Sequence, residues 1–190
     1  MVDFSQIASK MLEHNMKLPD KRIHVSIPDS KELILEGLKY FTGSRNVEWI
    51  DEYDHVVSWL GDNKYRGLFM FGDCGRGKSL LSRYVIPAIF LEYMRKVVSV
   101  YEMSEINTKL DEALTKKIIS LDDVGVEDVA VRYGERRMAF AELMDSIEKN
   151  EKLAIITTNL SVNELQQKYG DRVLDRIIST TKRVEFKGKS

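Results

Sequence analysis

Leu68-Phe69-Met70-Phe71-Gly72-Asp73-Cys74-Gly75-Arg76-Gly77-Lys78-Ser79 is the stretch that decides the fold. Its first four residues are an apolar run of strand length. Glycines then punctuate a turn, and the segment from Gly77 to about Met94 is patterned as a helix. Strand, glycine loop and helix in that order are the setting in which G-x-x-x-x-G-K-S binds phosphate. The glycines let the backbone wrap closely, so that amide N–H groups point at phosphate oxygens, and the helix N-terminus adds partial positive charge. The expected contact set is Gly72, Asp73, Cys74, Gly75, Arg76, Gly77, Lys78, Ser79 and Leu80. Lys78 is expected at the β- and γ-phosphates and the Ser79 hydroxyl on Mg²⁺, which makes ATP and Mg²⁺ the expected ligands.

A phosphate loop alone does not define a hydrolase; a second group of residues is needed at the end of another strand. Ile118-Ile119-Ser120-Leu121-Asp122-Asp123 supplies it, because an apolar strand ending in two carboxylates puts charge at the sheet edge where ligands of open α/β sheets bind. Asp122 is read as the Mg²⁺ carboxylate, through water, and Asp123 as the group that orients or deprotonates the attacking water.

Outward from these two strands, helical and strand lengths alternate. Helices are expected over Asp51 to Leu60, Ser104 to Leu114, Glu135 to Lys149 and, in segments, Ser161 to Ile178. Further strands are expected at Val97 to Tyr101, Leu153 to Thr157 and Arg183 to Phe186. Continuous apolar strands separated by helices indicate an α/β architecture with a parallel sheet covered on both faces. Ser161-Val162-Asn163-Glu164 has capping-box spacing, and Asp29-Ser30-Lys31-Glu32 reads as a capped start for a helix through Tyr40. Met138, Leu143, Met144 and Ile147 are read as core, as are Trp49, Tyr53, Val56 and Trp59.

At 190 residues, 43% hydrophobic and 31% charged, the chain can bury one main core. Its longest apolar runs fall far short of the roughly 20 residues of a membrane span, and Met1 to Lys10 is polar and amphipathic, so a cytoplasmic location is expected. One cysteine, Cys74, and three scattered histidines, His14, His24 and His55, give no structural zinc spacing. With a net charge of −1, nucleic-acid binding requires a local basic surface. Arg132, Arg136, Arg137, Lys182, Arg183, Lys187 and Lys189 are the candidates for single-stranded DNA, weighed against a solvated face. The turn-like Phe41-Thr42-Gly43-Ser44 separates an N-terminal helical extension, residues 1–45, from a main domain, residues 46–190. The extension is too small for a core of its own, so it either packs on the main domain or awaits a partner.

From about Trp49 to Ser190 the sequence resembles AAA+ ATPases, and among them the bacterial replicative-helicase loaders and the related ATPase subunits of transposition systems. The phosphate loop carries the resemblance together with Leu121-Asp122-Asp123-Val124-Gly125, Ile155-Ile156-Thr157-Thr158-Asn159-Leu160 and Tyr169-Gly170-Asp171-Arg172-Val173-Leu174-Asp175-Arg176-Ile177. The resemblance implies a three-layer P-loop NTPase fold whose five-stranded parallel sheet runs 5-1-4-3-2. It implies that Asn159 senses the γ-phosphate. It also implies that Arg176, with Arg172 as second choice, is an arginine finger reaching a nucleotide on a neighbouring subunit; the plainer reading is a surface Arg paired with Asp171 or Asp175. Self-association, a replicative helicase as partner and ATP hydrolysis in DNA replication follow from it. Asp123 is shorter than the family's usual Glu, and two further departures stand out: another basic sensor in or after the last strand is not evident in Phe186-Lys187-Gly188-Lys189-Ser190, and the N-terminal part is shorter than the helicase-binding domain of the better-known loaders. A transposition-helper ATPase, a P-loop small-molecule kinase and a non-hydrolysing nucleotide-dependent scaffold are the rival readings.

Overall fold

The computed structural model describes residues 3–18, 21–128, 130–132 and 135–188. Five strands form the main sheet: β1 (Gly67–Gly72), β2 (Ser99–Glu102), β3 (Ile118–Val124), β6 (Leu153–Thr158) and β7 (Thr181–Phe186). They lie in the order β2-β3-β6-β1-β7, and every pairing is parallel. With the five strands numbered in chain order, this is the expected 5-1-4-3-2 sheet.

Strand side chains alternate between two cores. In β1, Leu68 and Met70 enter one cluster and Phe69 the other; in β6, Leu153 and Ile155 alternate with Ala154 and Ile156. Both faces are covered, so the strands read as unbroken apolar runs instead of alternating with polar residues. The first face is covered by α2 (Ser30–Thr42), α3 (Asp51–Gly61) and the continuous helical run α4 (78–94). The second is covered by α5 (Ile106–Ala113), α6 (Ala139–Lys149), α7 (Val162–Tyr169) and α8 (Asp171–Thr180).

Helix α4 contains two π-helical stretches, Leu81–Val85 and Phe90–Met94. Pro87 follows the first of them by two residues. Proline offers no N–H and its ring crowds the carbonyl four residues back, and a widened turn relieves both problems without breaking the helix.

The N-terminal segment divides. Backbone bonds from Ile27 to Leu60 (2.9 Å) and from Asn63 to Val25 (3.2 Å) tie it to the end of α3, and Val25, Ile27, Ile34 and Leu38 are buried in the first core. Gly37 permits this approach: a Cβ there would lie 2.8 Å from a Val85 methyl. By contrast α1 (Phe4–Glu13) buries none of its residues and leaves Phe4, Ile7 and Leu12 exposed.

Three local expectations are corrected. Asp29 does not cap α2. It sits in the left-handed region (φ 52°) with no side-chain cap bond, and the Ser30 hydroxyl instead donates back to the Ile27 carbonyl at 2.6 Å. Glu135–Arg137 is strand β5, paired antiparallel with β4 (Ala130–Arg132), so α6 starts at Ala139; ladder pairing overrides the helix propensity of Glu and Arg. Met138 accordingly precedes the helix and is exposed, while Leu143, Met144 and Ile147 are buried as expected. The side chains of Arg132, Arg136 and Arg137, and the whole of Pro19, Lys189 and Ser190, lie outside the described residues.

Candidate nucleotide site

The loop between β1 and α4 wraps a cavity of about 250 Å³ lined by residues 74–80 together with Asp123, Thr157 and Asn159. Gly72, Gly75 and Gly77 all have positive φ (110°, 75° and 81°). Two of them also have no room for a side chain. A Cβ on Gly72 would meet the Phe186 carbonyl oxygen at 2.3 Å, and one on Gly77 would meet the Tyr53 hydroxyl at 2.6 Å. Tyr53 donates to the Arg76 carbonyl (3.2 Å), so the buried face of α3 fixes the loop directly. Arg76 pairs with Glu52 at 3.4 Å, and its Nε is buried with no hydrogen-bond partner among the described residues.

Lys78 is buried at the centre. Its Nζ donates to the carbonyls of Gly72 (2.8 Å) and Asp73 (2.7 Å) and to Asn159 Oδ1 (2.9 Å). Burial lowers its pKa, and the neighbouring carboxylates of Asp123, Asp73 and Asp122 oppose the shift. Asn159 Nδ2 in turn donates to Asp123 Oδ1 at 3.0 Å. The structure thus brings Lys78, Asn159 and Asp123, from three separate segments, into one hydrogen-bonded line.

Asp122 points elsewhere. One of its oxygens accepts from Ser82 (2.9 Å) and Thr157 (2.6 Å), and the carboxylate is almost wholly buried. Its other oxygen lies 3.9 Å from the Arg83 guanidinium, which also pairs with Glu102. Asp123 has the opposite orientation because a register shift between Leu121 and Val124 puts it at φ 60°, with its amide donating to Thr157 Oγ1 at 2.9 Å. Two adjacent carboxylates therefore face different surroundings. A second cavity of about 440 Å³, lined by Ser79, Arg83, Glu102, Asp122, Asp123 and Asn159, adjoins the first.

This site fits ATP with Mg²⁺. The loop geometry is a backbone cradle that a Cβ would fill, and no cluster of three or more metal-binding side chains occurs among the described residues. One hydroxyl, Ser79, and one carboxylate, Asp122, suit an ion that takes its remaining ligands from phosphate and water. Thr157, Ser82 and Arg83 were missed by sequence reasoning. Ser82 and Arg83 lie one helical turn beyond Lys78-Ser79, which is the signal by which they were findable; Thr157 differs from any strand threonine only by its partners.

The arginines of α8 are placed differently. Arg176 bonds Asp145 Oδ1 at 2.5 Å and Glu148 Oε2 at 2.9 Å, both on α6, and its side chain is only 13% exposed. Arg172 lies 3.5 Å from Asp145 and is 77% exposed. Their partners are not the adjacent Asp171 and Asp175 but carboxylates of the neighbouring helix. Among the other basic candidates, Lys182 donates to the His55 carbonyl and Ser58 (both 3.2 Å), and Lys187 pairs with Glu185 (2.8 Å).

The sheet order, phosphate loop and paired strand ends define a P-loop domain of the AAA+ fold. Solved structures bear out that fold. The chain is similar to the DnaC helicase loader, with a TM-score of 0.60 at 17% identity over 75% of this chain and 94% of that one. It is similar to DnaI with a TM-score of 0.59 at 17% identity over 87% and 95%. It also resembles AMPPCP-bound DnaA from Aquifex aeolicus, with a TM-score of 0.53 at 16% identity over 74% and 48%. No family model and no curated protein matches the sequence. Among the described residues no helix is long and apolar enough to cross a membrane.

Proposed function

We propose that this chain is an Mg²⁺-dependent ATPase that loads or remodels a replicative DNA helicase. The observation that carries the ATPase reading is the Lys78–Asn159–Asp123 line beside the loop cavity. In this reading Lys78 is the cation for phosphate, Asn159 the γ-phosphate sensor and Asp123 the carboxylate for water, and the hydrogen bonds among the three support it. When bound, Mg²⁺ would neutralise phosphate charge from Ser79 and Asp122, and Thr157 and Ser82 hold the Asp122 carboxylate in place. The helicase as partner is taken from the likeness to DnaC, a helicase loader. Helix α1, amphipathic and without buried residues, is the segment we assign to that partner. Arg172 and Arg176 are assigned to contact between copies of the chain. Single-stranded DNA would have to compete for Lys182 and Lys187 with their present partners.

Phosphate release from Mg²⁺-ATP with no added acceptor is the test, run on the wild type and on Lys78→Ala. The expected result is turnover in the first and loss of ATP binding in the second. Release that requires an added hydroxyl acceptor would turn the reading to a kinase. Capture with Asp123→Asn protein held in ATP then tests the partner, and retention of a replicative helicase that depends on residues 3–18 is expected.

A further inference from the structure

Glu127 has no part in the roles assigned above, yet it is buried. A carboxylate in such a place is costly unless its oxygens are satisfied. One accepts from the Gly125 amide at 2.8 Å, and the other accepts from the Tyr169 hydroxyl. Lys168 donates to the Gly125 carbonyl in the same knot. Gly125, at φ 112°, is pressed against Leu160, whose Cδ1 would stand 2.5 Å from a Cβ. The Tyr169 ring packs edge-on against Phe140 of α6, with centroids 4.9 Å apart. Burial and the bond to Glu127 hold the Tyr169 pKa well above its ordinary value, so the hydroxyl stays protonated and donating.

The loop leaving β3 after Val124, one residue past Asp123, is therefore clamped from both sides. Leu160, next to Asn159, holds one side, and the last two residues of α7 hold the other. Beyond Tyr169 the chain turns at Gly170 (φ 81°) and enters α8, which carries Arg172 and Arg176. We infer that the Glu127–Tyr169 contact is a positioning link between the Asp123 end of β3 and the arginine-bearing helix α8. The inference rests on the ATPase reading of the site. Asp123 lies two residues before Gly125 in a left-handed conformation that the loop must hold, so a slack loop misplaces the carboxylate. Neither Glu127 nor Tyr169 lines the loop cavity, so nucleotide binding does not depend on the link.

Three variants test it. Tyr169→Phe keeps the ring against Phe140 and removes only the hydroxyl. Glu127→Ala removes both bonds. Glu127→Gln restores them, its carbonyl accepting from Gly125 and its amide donating to the Tyr169 oxygen. Tyr169→Phe and Glu127→Ala are expected to lower kcat by about 10–100-fold with KM for ATP nearly unchanged, as small misplacements of catalytic groups do. Glu127→Gln should recover most of the loss. By hydrogen exchange, the Gly125 amide should exchange faster in Glu127→Ala while β1 stays protected. Mg²⁺-ATP should protect α8 in the wild type but not in Tyr169→Phe. Protection of α8 that persists in Tyr169→Phe, or KM rising in step with the fall in kcat, overturns the link. If the wild type neither turns over ATP nor gains protection from it, the ATPase reading has failed. The Gly125 exchange still decides the link itself, since unchanged exchange in Glu127→Ala overturns it.

Discussion

The phosphate loop with its neighbouring strand ends, and helix α8, carry the charged candidates, and they satisfy those charges in different ways. At the phosphate loop, Lys78 directs its three donors to the carbonyls of Gly72 and Asp73 and to Asn159 at the wall of an open cavity, so an incoming phosphate has only a neutral acceptor to displace. On α8, Arg176 is closed onto Asp145 and Glu148 and has little surface left. The first region has to give up a hydrogen bond to a neutral acceptor when a ligand arrives from solvent. The second must open an ion pair before it can reach one. Nucleotide binding should therefore be a property of the single chain, whereas any contribution of Arg176 to hydrolysis should depend on assembly.

The largest effect expected is that of Arg176→Ala on turnover in assembled protein. An arginine finger contributes about 10³–10⁵ in rate, so turnover should fall by at least about 10³ with ATP binding retained. Mixing with Lys78→Ala protein, which still presents Arg176, should restore part of the rate above the assembly concentration. Rates that are independent of protein concentration, with no restoration, would leave Arg176 as a purely intramolecular ion pair and dissolve the contrast between the two regions.

Next in size are the two carboxylates. Asp123→Asn should spare Mg²⁺-ATP binding and slow hydrolysis by about 10²–10⁴, the range for a positioned general base. Asp122→Asn should weaken the Mg²⁺ dependence of both binding and turnover, because its partners Ser82 and Thr157 are arranged for a carboxylate. Equal loss of ATP affinity in both variants would contradict the opposed orientations of the pair.

Nucleotide binding itself should be visible in stability. At about 100 times Kd, ligand adds about 2.7 kcal/mol, which for a domain of this size raises Tm by about 5–10 °C. Lys78→Ala should show no such shift, and a full shift in that variant would remove Lys78 from the phosphate site.

The contrast also explains what could be read from the sequence. The sheet order and the loop were legible because strand runs and glycine spacing are local patterns, and the AAA+ resemblance supplied the topology. Asp122, Asp123 and Asn159 were legible as strand-end residues. Their opposed orientations were not fully legible, since these depend on the register shift in β3 and on Thr157 and Ser82, which reach Asp122 from other elements. The partners of Arg176 were illegible for the same reason. Spacing along α8 offers Asp171 and Asp175, but the carboxylates that meet it belong to α6, 28 and 31 residues earlier in the chain. The β4–β5 hairpin was hidden by good helix formers at Glu135-Arg136-Arg137, and the π-helical turns of α4 leave no periodic signal beyond Pro87.

The smallest effect expected is also the one that sharpens the comparison most. Asp145→Ala removes one of the two carboxylates on Arg176 and the contact to Arg172, while Glu148 remains. Partly exposed ion pairs are worth about 0.2–1 kcal/mol, so Tm should fall by no more than about 4 °C. If α8 is locked and must open, loosening the lock should leave ATP affinity unchanged and raise turnover modestly in assembled protein. A drop in turnover comparable to that of Arg176→Ala would mean that the arginine acts from its present position beside α6, with Asp145 holding it there. Arg172→Ala separates the remaining case. It is exposed and, among the described residues, joined only to Asp145, so it should behave as the wild type unless it is itself the residue that reaches the neighbouring nucleotide.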